Sequence, residues 1–221
     1  MHESMHRMIA EFLGTFFLVF AGTGAMVVND VTGGVITHAG IALTFGLVVL
    51  AMIYTFGEIS GAHLNPAVTL GFFFARRFSR RDLIPYILSQ VAGALTASLL
   101  LRVLFPSSRM LGATVPKGSD VQSLLLEFVL TFFLMIVILR VSTGSKEKGI
   151  TAGIVVGAVI GLEAMFAGPI CGASMNPARS LAPALITGET RHLWIYLVGT
   201  VLGALCAAPV CALLNSDKEN Q

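Results

Sequence analysis

Charge is what this sequence has least of. Asp, Glu, Lys and Arg make up 12% of the 221 residues, 55% are hydrophobic, and the mean hydropathy is +0.84. A soluble domain of this size has too little interior to hide so much apolar surface, so the expected solvent is a membrane. The 14 Lys and Arg nearly balance 12 Asp and Glu, leaving a net charge of +2 with no basic stripe, which argues against a nucleic-acid partner. Cysteine is scarce as well. Cys171, Cys206 and Cys211 are an odd number lying in or beside apolar stretches, so they are read as small apolar residues rather than a disulfide framework. There is no nucleophile–base pair, no phosphate-binding loop and no ligand-spaced set of His and Cys, so no enzyme, metal or cofactor is expected.

What is present is apolar length. Six stretches reach the roughly 20 residues needed to cross a bilayer: Met8 to Val28, Ile36 to Phe56, Leu83 to Phe105, Val121 to Val141, Ile150 to Gly168 and Leu193 to Leu214. The first is too long for the core of a signal peptide and is followed by further spans, so it is expected to stay as a helix. Two shorter apolar pieces, Asn65 to about Phe74 and Asn176 to about Ile186, are about 15 Å long as helices, half of a hydrocarbon core. They dip in without crossing.

The two halves repeat each other. Glu11-Phe12 with Thr15-Phe16-Phe17-Leu18 recurs as Glu127-Phe128 with Thr131-Phe132-Phe133-Leu134. Ala39-Gly40-Ile41 returns as Ala152-Gly153-Ile154, and Gly93-Ala94-Leu95 as Gly203-Ala204-Leu205. The chain is therefore read as one transmembrane domain, 1–221, with internal repeats at about 8–105 and 121–214. Three spans per copy is an odd number, so the copies lie in opposite orientations. The fold class is all-α membrane protein: six transmembrane helices plus two re-entrant half-helices in an inverted repeat. Arg7, Arg76, Arg77, Arg80, Arg81, Arg140, Lys146, Lys148 and Lys218 gather on one side, against Arg102, Arg109, Lys117 and Arg191 on the other. By the positive-inside rule both termini are cytoplasmic, in the plasma (inner) membrane. The tail Asn215 to Gln221 is expected to be disordered. Glycines at four-residue spacing, Gly153, Gly157, Gly161 and Gly199, Gly203, predict close helix packing.

Each short piece opens on the same frame, Gly61-Ala62-His63-Leu64-Asn65-Pro66-Ala67 and Gly172-Ala173-Ser174-Met175-Asn176-Pro177-Ala178. Asn followed by Pro marks a helix start, with Asn as the cap and Pro at the first helical position. In inverted halves the two starts meet near the midplane with their positive dipole ends facing. An Asn whose oxygen caps its own helix is expected to turn its NH2 outward as a pure donor, so Asn65 and Asn176 orient a passing water and break a proton-conducting file. Arg179, where the first copy has Val68, is an intramembrane cation and is read as pore-lining. Glu11 and Glu127 are read as acceptors for the re-entrant backbone, and His63 as a hydrogen-bonding pore or loop residue.

These frames, with Glu-Phe in the opening spans, resemble the aquaporin or major intrinsic protein family over Met8 to Leu214. The resemblance implies passive passage of water and small neutral solutes, a homotetramer in lipid with one pore per subunit, and an outer constriction at Phe45, Ala164, Ala173 and Arg179. Strict water channels carry His at the position of Ala164 and a small polar residue or Cys at that of Ala173, so this filter is expected to be wider and less polar. Glycerol channels follow the Arg with Asp, where Ser180 stands here. Met52-Ile53-Tyr54 and Phe166-Ala167-Gly168-Pro169 are similar to the nodulin-like branch and its bacterial relatives, which pass water, glycerol and undissociated metalloid acids, although that branch often has Trp in place of Phe45. The alternative is a coupled transporter titrating Glu11, Glu58, Glu127 or Glu163, since inverted repeats with broken helices also build those. A structural junction protein accommodates the glycines and leaves Arg179 unexplained.

Overall fold

In the computed structural model, which describes residues 2–142 and 146–216, helices form in the order α1 (His2–Val31), α2 (Thr37–Ser60), α3 (Pro66–Phe74), α4 (Arg80–Leu104), α5 (Asp120–Val141), α6 (Lys146–Cys171), α7 (Pro177–Thr187) and α8 (Leu193–Ser216). Six are long and apolar enough to cross a membrane. The other two, α3 with 9 residues and α7 with 11, rise about 14 and 17 Å, too short to cross one. Local chemistry sets the boundaries. Ser79 and Ser119 cap α4 and α5 by accepting from Arg81 N and Gln122 N at 3.2 Å, with Asp82 and Asp120 in the first turns.

Several helices outrun their apolar stretches. α2 continues from Phe56 to Ser60 and α6 from Gly168 to Cys171, because only continued helical hydrogen bonding satisfies the backbone down to the re-entrant loop. α2 then ends at Gly61, whose φ of 85° lies in the left-handed region. α8 runs to Ser216, into the stretch expected to be tail. The remainder of that tail, residues 217–221 with Lys218, and the side chains of Lys146 and Lys148 lie outside the described residues.

The packing reproduces the duplication. α1 lies on α4 as α5 lies on α8, α1 on α2 as α5 on α6, and α2 meets α6 where the halves join. Each half-helix crosses over to the other half, α3 packing on α8 and α7 on α4. Glycines allow these approaches. A Cβ on Gly93 would overlap Phe12 O, and one on Gly203 would overlap Phe128 O, the same collision in each copy. At the α2–α6 crossing, Cβ atoms on Gly46 and Gly157 would each fall 2.6 Å from the other's carbonyl oxygen. Backbone rather than side chain is the obstacle at these three places, so the neighbour cannot move aside.

Gly93→Ala is therefore expected to destabilise the protein by about 1–3 kcal/mol, the usual cost of overpacking. Gly57→Ala, whose Cβ would meet only Ile53 Cγ2 at 4.0 Å, is expected to leave stability nearly unchanged. Thermal unfolding of the two variants in detergent checks the pair.

Candidate functional site

The two half-helices start head to head. Asn65 Oδ1 accepts from Ala67 N at 2.8 Å, and Asn176 Oδ1 accepts from Ala178 N at 3.0 Å and Arg179 N at 3.3 Å, with Pro66 and Pro177 in the first helical positions. The amide nitrogens differ from the sequence expectation. Asn65 Nδ2 donates to Met175 O at 2.7 Å and Asn176 Nδ2 donates to Leu64 O at 2.8 Å, so each asparagine grips the loop of the opposite half. One amide hydrogen of each is spent on this cross-link, and one remains for the lumen. The asparagines are thus not wholly free donors: each amide satisfies a carbonyl of non-helical loop backbone, Leu64 O or Met175 O.

Six loop residues take left-handed backbone in the same order twice: Gly61, Ala62 and Leu64 at φ 85°, 46° and 54°, and Gly172, Ala173 and Met175 at 90°, 41° and 53°. The four that are not glycine each cost about 1–3 kcal/mol of strain, so the surroundings must hold them. Glu11, fully buried, does this in the first copy: Oε1 accepts from Ser60 Oγ (2.7 Å) and His63 N (2.9 Å), Oε2 from Leu64 N and Gln90 Nε2 (both 2.8 Å). Glu127, equally buried, accepts from Ser174 N at 2.8 Å and Met175 N at 2.9 Å. The His63 ring stacks on Phe72 with centroids 4.6 Å apart, and its Nδ1 lies 3.1 Å from Thr69 Oγ1.

Further supports of the loops carry no motif in the sequence. Tyr86 OH donates to Ser60 O at 2.8 Å and Tyr196 OH to Cys171 O at 2.7 Å, one bolt per copy at the end of α2 and of α6. Ser60 Oγ accepts from Ala62 N at 3.1 Å, and Cys171 Sγ accepts from Ala173 N at 3.4 Å. Cys171 is therefore not apolar filling; it is the counterpart of Ser60, and both stand immediately before the Gly-Ala of the frame. Pro169 has no N–H to give Met165 O within α6, and His38 Nε2 takes that carbonyl at 2.6 Å.

Phe45, Ala164, Ala173 and Arg179 line one narrow cavity of about 110 Å³, together with Asn65, Asn176 and His63. Arg179 is 1% exposed. Its Nη1 donates to Gly112 O at 2.7 Å, its Nη2 to Met26 Sδ at 3.1 Å, and its Cζ lies 5.1 Å from the centre of the Phe45 ring. Gly22 leaves room for that ring, and Gly112, at φ 72°, is pressed against Thr23. Next to Arg179 in sequence, Ser180 Oγ accepts from Thr114 Oγ1 (2.8 Å) and lies 2.6 Å from Ser174 Oγ, a chain of three hydroxyls. Glu58 is exposed, whereas Glu163, beside Ala164 on α6, is 1% exposed with neither oxygen hydrogen-bonded among the described residues.

The pattern of the family described as Major intrinsic protein matches residues 1–211. The chain belongs to that family. It is a channel for water and small solutes, not an enzyme. Among its relatives, a protein of Oryza sativa subsp. japonica named Aquaporin NIP1-3 is 51% identical over 203 residues, which are 91% of this chain and 71% of that one. Nodulin-26 of Glycine max is 44% identical over 216 residues, 97% of this chain and 80% of its own. The solved aquaglyceroporin of Plasmodium falciparum superposes with a TM-score of 0.83 at 26% identity, covering 95% of this chain and 99% of that one.

Because Cys171 copies Ser60, Cys171→Ser is expected to keep both fold and flux. Cys171→Val, which strands Ala173 N, is expected to lose about 1–3 kcal/mol. Thermal unfolding and liposome water permeability, measured on the two variants side by side, check this.

Proposed function

We propose that this channel passes water together with small uncharged polyols of glycerol's kind and undissociated metalloid acids, while excluding protons and ions. The observation that carries this reading is the chemistry around Arg179: one charged donor and the Phe45 ring share the cavity with the methyl groups of Ala164 and Ala173. A polyol presents hydroxyls on one side and carbon on the other, and such a lining meets both. A hydrated cation is opposed there by the Arg179 guanidinium. The named aquaglyceroporin and NIP relatives support the same assignment.

Exclusion of charge is assigned to the centre. The starts of α3 and α7 bring two positive dipole ends together, which opposes cations, hydronium included. The remaining amide hydrogens of Asn65 and Asn176 offer donors there, so a water between them turns its oxygen inward and breaks the proton path. In this reading Asn65, Pro66, Ala67, Asn176, Pro177 and Ala178 form the central gate against ions. Phe45, Ala164, Ala173 and Arg179 set solute choice, and Glu11, Glu127 and His63 brace the loops. The repeats at 8–105 and 121–214 act as one channel domain, assembled as a lipid-embedded homotetramer. Its termini face the cytoplasm across the plasma membrane, on the side richer in Arg.

Proteoliposomes are expected to show water and glycerol flux with no proton current. Ala164→His, which fills the lining with a polar ring, is expected to lower glycerol flux about tenfold or more, about 1.4 kcal/mol of barrier, with a smaller effect on water. Stopped-flow light scattering reads both; a robust proton current, or equal loss of the two fluxes, overturns the reading.

A further inference from the structure

The weak member of the Arg179 contact set is Met26. A guanidinium carries five N–H donors and is best matched by oxygen; among the described residues Nη1 has Gly112 O, but Nη2 has only a thioether sulfur at 3.1 Å, and Nε is buried without a partner. Met26 and Gly112 also line a second cavity of about 290 Å³, shared with Asp30, Met110, Lys117 and Gly172. Asp30 is at the far end of α1 from the amino terminus, so this cavity is a partly open vestibule on the side of the protein opposite that terminus. The Met26 side chain is half-buried and spans from that vestibule to the guanidinium.

We propose that Met26 is a site of oxidation by hydrogen peroxide, and that its sulfoxide resets Arg179 and with it the solute choice of the pore. Peroxide is small, uncharged and reaches the vestibule from bulk water. In the step, a sulfur lone pair attacks one peroxide oxygen and the O–O bond breaks. The oxygen stays on sulfur, and the departing hydroxide takes the proton left on it and leaves as water. The thioether loses two electrons and the peroxide gains them.

The consequence follows from space and acceptor strength. A sulfoxide oxygen is a far better acceptor than a thioether, so it holds Nη2 firmly. An N–H···O bond of about 2.9 Å made through the added oxygen does not fit within the present 3.1 Å between sulfur and nitrogen. The guanidinium is pushed from α1 toward Phe45 and the lumen. Met110, 40% exposed in the same vestibule, is open to the same oxidant and has no hydrogen bond to Arg179 among the described residues, so its oxidation leaves the constriction alone. Met175 and Met135, 4% and 0% exposed, are shielded.

The inference rests on the filter assignment above, and one set of proteoliposomes separates the two. The full chain is treated with hydrogen peroxide, the Met26 peptide is examined by mass spectrometry for the gain of one oxygen, and water and glycerol fluxes are measured before treatment, after it, and after methionine sulfoxide reductases of both epimer specificities. Oxygen is expected on Met26, with glycerol flux falling about threefold or more, water flux falling less, and recovery on reduction. Met26→Leu is expected to lose the response whatever its starting flux, and Met110→Leu to keep it. Met26→Gln, which puts a fixed oxygen near the place of the sulfoxide's, is expected to show the oxidised flux ratio without peroxide. Absence of oxygen on Met26 while Met110 is oxidised, an unchanged ratio with Met26 oxidised, or an equal response in Met26→Leu overturns the proposal. If Ala164→His shifts the glycerol-to-water ratio and Met26 oxidation does not, only the Met26 inference falls. If Ala164→His leaves the ratio unchanged, the filter assignment falls.

Discussion

Within hydrocarbon a backbone N–H or C=O that is not hydrogen-bonded costs several kcal/mol, and non-helical chain survives at that depth only where protein or a water-filled cavity surrounds it. Two stretches of this protein, 61–65 and 172–176, are such chain. They are held by three reciprocal devices: Asn65 and Asn176 bond across to Met175 O and Leu64 O, Glu11 and Glu127 collect the N–H groups of residues 63, 64, 174 and 175, and Tyr86 and Tyr196 bond the last carbonyls of the helices leading in. Because the asparagine bonds run between the halves, neither loop is complete without the other. The half-helices packing on α8 and α4 of the opposite repeat follow from the same requirement.

Most readily read in the sequence was what the duplication preserved as identity. Glu11 and Glu127, the two Asn-Pro-Ala frames and the Gly93–Gly203 pair stand in matching surroundings, and a residue that recurs in an inverted copy announces a shared mechanical role. Cys171 escaped because its counterpart is Ser60: acceptor geometry was kept while the element changed, and composition sorted the two into different classes. The amide cross-links escaped for another reason. A cap tells where an asparagine's oxygen goes, but the destination of its nitrogen depends on a loop more than 100 residues away.

The surroundings of Arg179 were the least legible part. Gly112 lies in the connection between α4 and α5, which carries no repeat and no motif, and Met26 is one apolar residue within an apolar span. Both are recruited by three-dimensional proximity alone. The only sequence trace is negative: Gly112 sits at a left-handed φ against Thr23, where a side chain does not fit. Glu163 was visible as an intramembrane carboxyl, but only the fold separates it from Glu58, burying the first beside Ala164 and leaving the second exposed.

The division of labour follows from where symmetry holds and where it breaks. An inverted repeat brings matching groups together from two sides, and the asparagines obey that symmetry closely. A cross-section with one polar flank and one apolar flank requires the opposite, a break in the symmetry. Val68 takes the equivalent place to Arg179 in the first half and is buried in apolar packing. The cation is therefore confined to one end of the pore, and its position is set by unrepeated contacts to Gly112, Met26 and Phe45. Those contacts are separate from the asparagine, glutamate and tyrosine bonds that hold the two loops, so the grip on Arg179 can change without disturbing the loops.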